Sequence, residues 1–92
     1  MLPHVLRYNV PVNADRQAVL AAAAGSPERD LADIVADLVH TLGLPQRLRD
    51  AGVFPDQLAI IAQAAMNDPW LQTNPRPLTT QADVVRILQS AW

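Results

Sequence analysis

The sequence predicts an all-α domain, and three observations carry that expectation. Apolar residues recur at helical spacing, most plainly at Leu31, Ile34, Val35, Leu38, Val39 and Leu42. No segment alternates apolar and polar residues over the length of a strand. Half of the residues are hydrophobic, yet only Tyr8, Phe54, Trp70 and Trp92 are aromatic. The core must therefore come from Leu, Ile, Val and Ala, which suits closely packed helices better than a sheet.

The elements follow from local chemistry. In the opening "MLPHVLRYN", Leu2, Val5 and Leu6 share one helix face, but no Ser, Thr, Asp or Asn precedes them as a cap. The stretch reads either as a short N-terminal helix or as the tail of a longer one. "NVPVN" (9–13) holds a proline between two asparagines and reads as a bend. Asn13 is placed to cap a helix running to about Ala24, anchored by Val19 and Leu20 and stopped by Gly25. Ser26-Pro27-Glu28 combines a capping hydroxyl, a first-turn proline and an acid at the positive end of the dipole. It predicts a helix over 27–43, ended by Gly43 and followed by Pro45. "PQRLRDAG" (45–52) predicts one short helix closed by Gly52. "PDQLAIIAQAAMND" (55–68) predicts another, with Leu58, Ile61, Ala62 and Ala65 on one face. Three prolines within 68–77 exclude helix and central strand there. Trp70 and Leu71 are expected to pack that connection onto the helices. Thr80 with Asp83 three residues on forms a near capping box for a last helix, whose stripe is Val84, Ile87, Leu88 and Ala91. The expectation is a small bundle of four main helices plus short ones, in a single domain over 1–92.

Composition excludes several function classes. The net charge of −2 gives no electrostatic footprint for nucleic acid or an anionic membrane. No apolar run approaches the ~20 residues that span a bilayer, and no leader-like segment is recognisable, so a cytoplasmic location is expected. With no cysteine there is no disulfide framework and no thiolate metal site. All seven basic residues are arginine, which reads as genomic composition bias.

Candidate chemistry is sparse. His4 and His40 are the only histidines, and neither belongs to a ligand pair of the H-E-x-x-H kind. His40, between Val39 and Leu42, reads as structural, whereas His4 is polar in an otherwise apolar turn and could face a pocket. Asp30, Asp33 and Asp37 share a face opposite an apolar stripe, the pattern of a solvated surface. Ser26 and Ser90 sit in no nucleophile elbow. Gly25, Gly43 and Gly52 each end a helix, so no glycine-rich phosphate loop can be built from them. Arg47 and Arg49, two apart, would not share a helix face and so make a poor phosphate clamp. Arg76, bracketed by prolines in "TNPRPLTT", could belong to a ligand for a proline-binding module, but packing onto the helices explains it better.

Taken together, "MLPHVLRYN", "LGLPQRLRDAGV", "DPWLQTNPRPLT" and "ILQSAW" resemble the C-terminal helical domain of iron-dependent alcohol dehydrogenases. The similarity is greatest to the branch that includes maleylacetate reductases, and it covers essentially the whole chain. It implies a fold like the C-terminal part of the dehydroquinate synthase-like architecture. It also implies that "LPHVLRYN" continues a helix whose upstream part carries a His-Gly pair. That histidine is the last metal ligand of the family, preceded by an Asp and two more histidines, and the coenzyme loop lies in an N-terminal nucleotide-binding domain. None of these matches a position here, so no catalytic, cofactor or metal residue is carried over. His4 alone matches a position on the wall near the cleft.

The resemblance implies hydride transfer between NAD(P) and a small carbonyl or enoyl substrate in an intact enzyme, with Fe(II) or Zn(II) polarising the substrate oxygen. The chain alone is expected to bind neither group and to be inactive. Its partner would be the missing N-terminal domain, or a second copy docked on an exposed apolar face around Leu2, Val5 and Leu6. A stand-alone helical module that binds a protein partner or self-associates is the alternative. Residues 1–12 are expected to be frayed or differently docked, and 27–67 to keep its core.

Overall fold

The computed structural model describes residues 1–92. It has four α-helices: α1 (Leu2–Ala23), α2 (Leu31–Thr41), α3 (Gln57–Ala65) and α4 (Gln81–Ala91), and no strand. Short 3-10 turns at Leu48–Ala51 and Leu71–Thr73 complete it. The all-α expectation of four main helices plus short ones holds. Gly25, Gly43 and Gly52 follow α1, α2 and the first 3-10 turn with φ of 86°, 70° and 90°, a left-handed conformation that closes a helix at little cost for glycine.

α1 is two helices joined at a bend. Asn13 leaves helical geometry (φ −141°, ψ 27°) two residues after Pro11, whose ring removes a backbone donor. Gln17 Nε2 donates to the Leu6 carbonyl at 2.8 Å and to Asn13 Oδ1 at 2.9 Å. In a straight helix those backbone positions, 11 residues apart, would lie about 16 Å from each other, beyond a glutamine's reach. The bend must therefore be sharp. Its position matches the reading of 9–13, but Val19 and Leu20 are not anchors: they are 70% and 55% exposed. Gln17 and Ala21 are buried instead, and the buried Gln17 amide is satisfied by the Leu6 carbonyl and Asn13 Oδ1. The helix begins at Leu2, with Pro3 buried.

α2 starts four residues later than the Ser26-Pro27-Glu28 signal suggested. Residues 26–29 form a turn closed by Arg29 N–H donating to the Ser26 carbonyl, and extended Asp30 (φ −67°, ψ 133°) precedes the helix. Pro27 serves a turn as well as a first helical position, since both need the same φ.

The largest apolar cluster lies between α3 and α4, where Leu58 and Ala62 meet Val84 and Leu88. Leu48, Val53, Leu71, Leu78 and Trp92 pack around it. The core is thus not held within 27–67: α2 buries only Ala32. α1 packs mainly on α2, α3 on α4, and α1 reaches α4. The result is a slab of 38 × 29 × 17 Å. Its radius of gyration of 14.0 Å exceeds the roughly 12 Å expected for a chain of this length. Large apolar side chains consequently remain outside, among them Leu38, Leu42, Phe54 and Ile60. Trp70, expected to anchor the 68–77 connection, is 79% exposed; Leu71 does that packing alone.

The proline-rich connection is tied to α1 by a polar clasp. Asn9 and Asn74 exchange reciprocal amide hydrogen bonds of 3.0 and 2.7 Å, and Asn9 is 5% exposed. Arg76 lies 4.3 Å over the Tyr8 ring and donates to the Tyr8 carbonyl at 3.1 Å. Tyr8 Oη donates to the Pro77 carbonyl at 2.9 Å. "RYN" and "NPRP" thus supply the two halves of one polar clasp.

α4 opens on the capping box read from the sequence. Thr80 Oγ1 accepts from Asp83 N–H, and Asp83 Oδ2 accepts from Thr80 N–H. The bond with Thr80, helped by Arg86, holds the Asp83 carboxyl below its ordinary pKa. Asp83 binds its proton less readily folded than unfolded, so its stabilisation is present above the ordinary carboxylate range and is lost as pH falls through the lowered value. Thermal melts should therefore show an acid-side loss of stability that shrinks in Asp83→Asn; an unchanged acid limb in that variant would refute the assignment.

Candidate functional site

A concavity of about 440 Å³ opens where the first turns of α1, the middle of α2, residues 45–49 and the end of α4 converge. His4 and Arg7 come from α1, Ala36 and Val39 from α2, and Ser90 and Trp92 from the C-terminal end of α4. Pro45, Gln46, Arg47 and Arg49 complete the rim. The expectation that His4 could face a pocket is met.

His4 is held by a neighbouring hydroxyl. Ser90 Oγ donates its single hydrogen to the Ile87 carbonyl at 2.7 Å. The same oxygen lies 3.2 Å from His4 Nδ1, a contact whose donor and acceptor follow the imidazole tautomer. Burial lowers the His4 pKa below its ordinary value, and the positive charges of the chain's amino terminus and Arg7 add to this. The neutral form is thereby favoured near pH 7, and acidification through the ordinary histidine range works against the folded state.

The other sequence candidates are placed plainly. His40 is exposed and its Nδ1 accepts from Gln46 Nε2 at 2.6 Å, a structural contact at the end of α2. Asp33 pairs with Arg7 and Asp37 with Arg29, both at 2.6 Å and both well exposed, as a solvated face implies. No three His, Cys, Asp or Glu side chains converge anywhere. The donor set of these residues does not fit a metal ion by itself.

Arg47 and Arg49 correct an expectation. The α-helical spacing that would separate them does not exist here: Arg47 is extended (φ −127°, ψ 150°) and Arg49 sits in the 3-10 turn that follows. Both line the same concavity. Arg49 rests 5.3 Å over the Trp92 ring, whose Nε1 donates to the Val53 carbonyl at 3.0 Å.

The sequence model of the Fe-containing alcohol dehydrogenase family, C-terminal, matches residues 1–92. The chain belongs to this family, as its C-terminal domain. It is 31% identical to lactaldehyde reductase of Escherichia coli K12, over all of this chain and 26% of that protein. It is 34% identical to maleylacetate reductase 1 of Cupriavidus pinatubonensis, over 89% of this chain and 22% of the relative. With 4-hydroxybutyrate dehydrogenase of Cupriavidus necator it shares 35% identity over 99% of this chain and 25% of the relative. The chain thus spans about a quarter of the length of the curated relatives it matches. No solved structure matches significantly. No helix is long and apolar enough to cross a membrane.

Proposed function

We propose that this domain forms one wall of the active-site cleft in an NAD(P)-linked, metal-dependent oxidoreductase acting on small alcohols and carbonyl compounds. His4 would stand on that wall, and the domain alone would be inactive. The observation that carries the reading is the family match over all 92 residues in a chain whose own side chains offer no metal-binding cluster. The names of the relatives, reductases and dehydrogenases, support the reaction class. The metal and the nicotinamide would be held by a further stretch of polypeptide, and the absence of cysteine is compatible with the cytoplasm.

The test is an assay of the 92-residue protein with NADH, Fe(II) or Zn(II), and lactaldehyde or maleylacetate. No oxidation above background is expected. Addition of the N-terminal three-quarters of a relative, lacking its own C-terminal domain, should restore turnover, whereas sustained turnover by the 92-residue chain alone would overturn the proposal.

A second reading rests on the flat shape and on exposed Leu38, Leu42, Phe54 and Ile60. These side chains would seat a second copy or another protein, making the chain a helical interaction module. Sedimentation over a wide concentration range should show reversible self-association; a strict monomer throughout would remove the homo-oligomer.

A further inference from the structure

We propose that the concavity bordered by His4, Arg7, Arg47 and Arg49 binds a small oxyanion, gripped chiefly by the guanidinium groups of Arg47 and Arg49. The inference stands independently of the oxidoreductase reading, since an anion would be held whether or not any redox chemistry occurs nearby. Charge is the first argument. The chain as a whole is acidic at −2, yet three of its seven arginines line this one cleft together with Met1 and Trp92, whose terminal amino and carboxylate charges offset each other, and no Asp or Glu side chain does. Of the three, only Arg7 has a carboxylate partner, the well-exposed Asp33, while Arg47 and Arg49 form no ion pair. Like charges gathered on a concave surface repel one another, and a bound anion relieves that repulsion.

Preorganisation is the second argument. Arg49 is steadied over the Trp92 ring, and that indole is itself fixed by its bond to the Val53 carbonyl. A guanidinium held in one plane offers two parallel N–H donors to a carboxylate or phosphate with little further loss of entropy. Arg47, extended just before the 3-10 turn, lines the same concavity from a separate backbone position. At about 440 Å³ the space lies within the usual range for small-molecule sites, of ~300–1,000 Å³, and suits a phosphate monoester or a dicarboxylate.

The experiment titrates the 92-residue protein with inorganic phosphate and, separately, with malonate, following the Trp92 indole N–H and the His4 ring signals by NMR. A saturable shift of the Trp92 signal at about 1 mM or below is expected. The His4 titration midpoint should rise when the anion is bound, because added negative charge in the same cleft favours the imidazolium. Arg47→Ala with Arg49→Ala should weaken binding by about tenfold or more, as expected when two charge-assisted pairs are lost. Arg29→Ala, outside the cleft, should leave it unchanged. Far-UV circular dichroism checks that the variants keep their helices, and the single Arg47→Gln change gives a milder version should the double variant lose structure. Tighter binding of phosphate than malonate assigns the site to phosphate esters, and the reverse assigns it to carboxylates. No saturable shift with either anion, or equal binding by the double variant, overturns the proposal.

Discussion

Asn9→Ala is expected to destabilise the protein by about 3 kcal/mol, far more than the removal of one polar side chain usually costs. The reason is what the substitution leaves behind. Asn9 is 5% exposed and its amide both donates to and accepts from Asn74, at 3.0 and 2.7 Å. Its Oδ1 also receives the Arg76 backbone N–H at 3.4 Å. Alanine leaves Asn74 Oδ1 and the Arg76 backbone N–H without this partner, while Asn74 Nδ2 keeps only the Arg76 carbonyl at 2.6 Å. An unmet buried polar group costs roughly 1–3 kcal/mol, and the half-buried Asn74 amide loses a donor and an acceptor at once. Urea unfolding should show a lower midpoint with an unchanged slope. Asn74→Ala should cost a similar amount, and the double variant much less than the sum, because the remaining half of a broken pair is what carries the penalty. Strict additivity of the two would show that the clasp does not act as a unit.

The same residues show why parts of the fold were legible in the sequence and others were not. The ends at Gly25, Gly43 and Gly52 and the start at Thr80 were readable because each depends on one or two residues: a glycine that can take a positive φ, or a Thr-x-x-Asp that can close a capping box. The stripe of α4 was readable because Val84, Ile87, Leu88 and Ala91 are all buried. α1 was misread because its interior face is partly polar. Asn9 and Gln17 lie inside while Val10, Val12, Val19 and Leu20 lie outside, the reverse of what periodicity assumes. Buried amides are stable here only through partners far away in the chain, such as Asn74, and no local pattern encodes those.

For the site, the limit was similar. His4 could be singled out as a polar residue in an apolar turn. Its hydrogen-bond partner could not, because Ser90 lies at a sequence separation of 86. The α-helical spacing that argues against an Arg47–Arg49 pair does not govern a residue in extended geometry followed by a 3-10 turn. The family resemblance rests on motifs that stand in the sequence itself, two of which, "RYN" and "NPRP", touch in the fold.

Leu88→Ala should cost about 3 kcal/mol, and the loss should unfold the α3–α4 half before the rest. Leu88 is 5% exposed in a cluster whose other buried members are Leu58, Ala62 and Val84. No large side chain anywhere in the chain is fully buried, so no second, deeper core exists to absorb the deletion. α3 cannot collapse freely into the vacated space, since Ala62 is already at 0% exposure against its neighbours. A chain of this length has a total stability of only about 5–14 kcal/mol, so this one change removes a large share of it. Hydrogen exchange should report the effect by region: amides of α3 and α4 lose protection first, while the α1 bend, held by Gln17, and the α1–α2 contact keep theirs longer. Uniform loss across all four helices would instead mean that the slab unfolds as one cooperative unit, with the Asn9–Asn74 clasp binding its two halves together as strongly as apolar packing does.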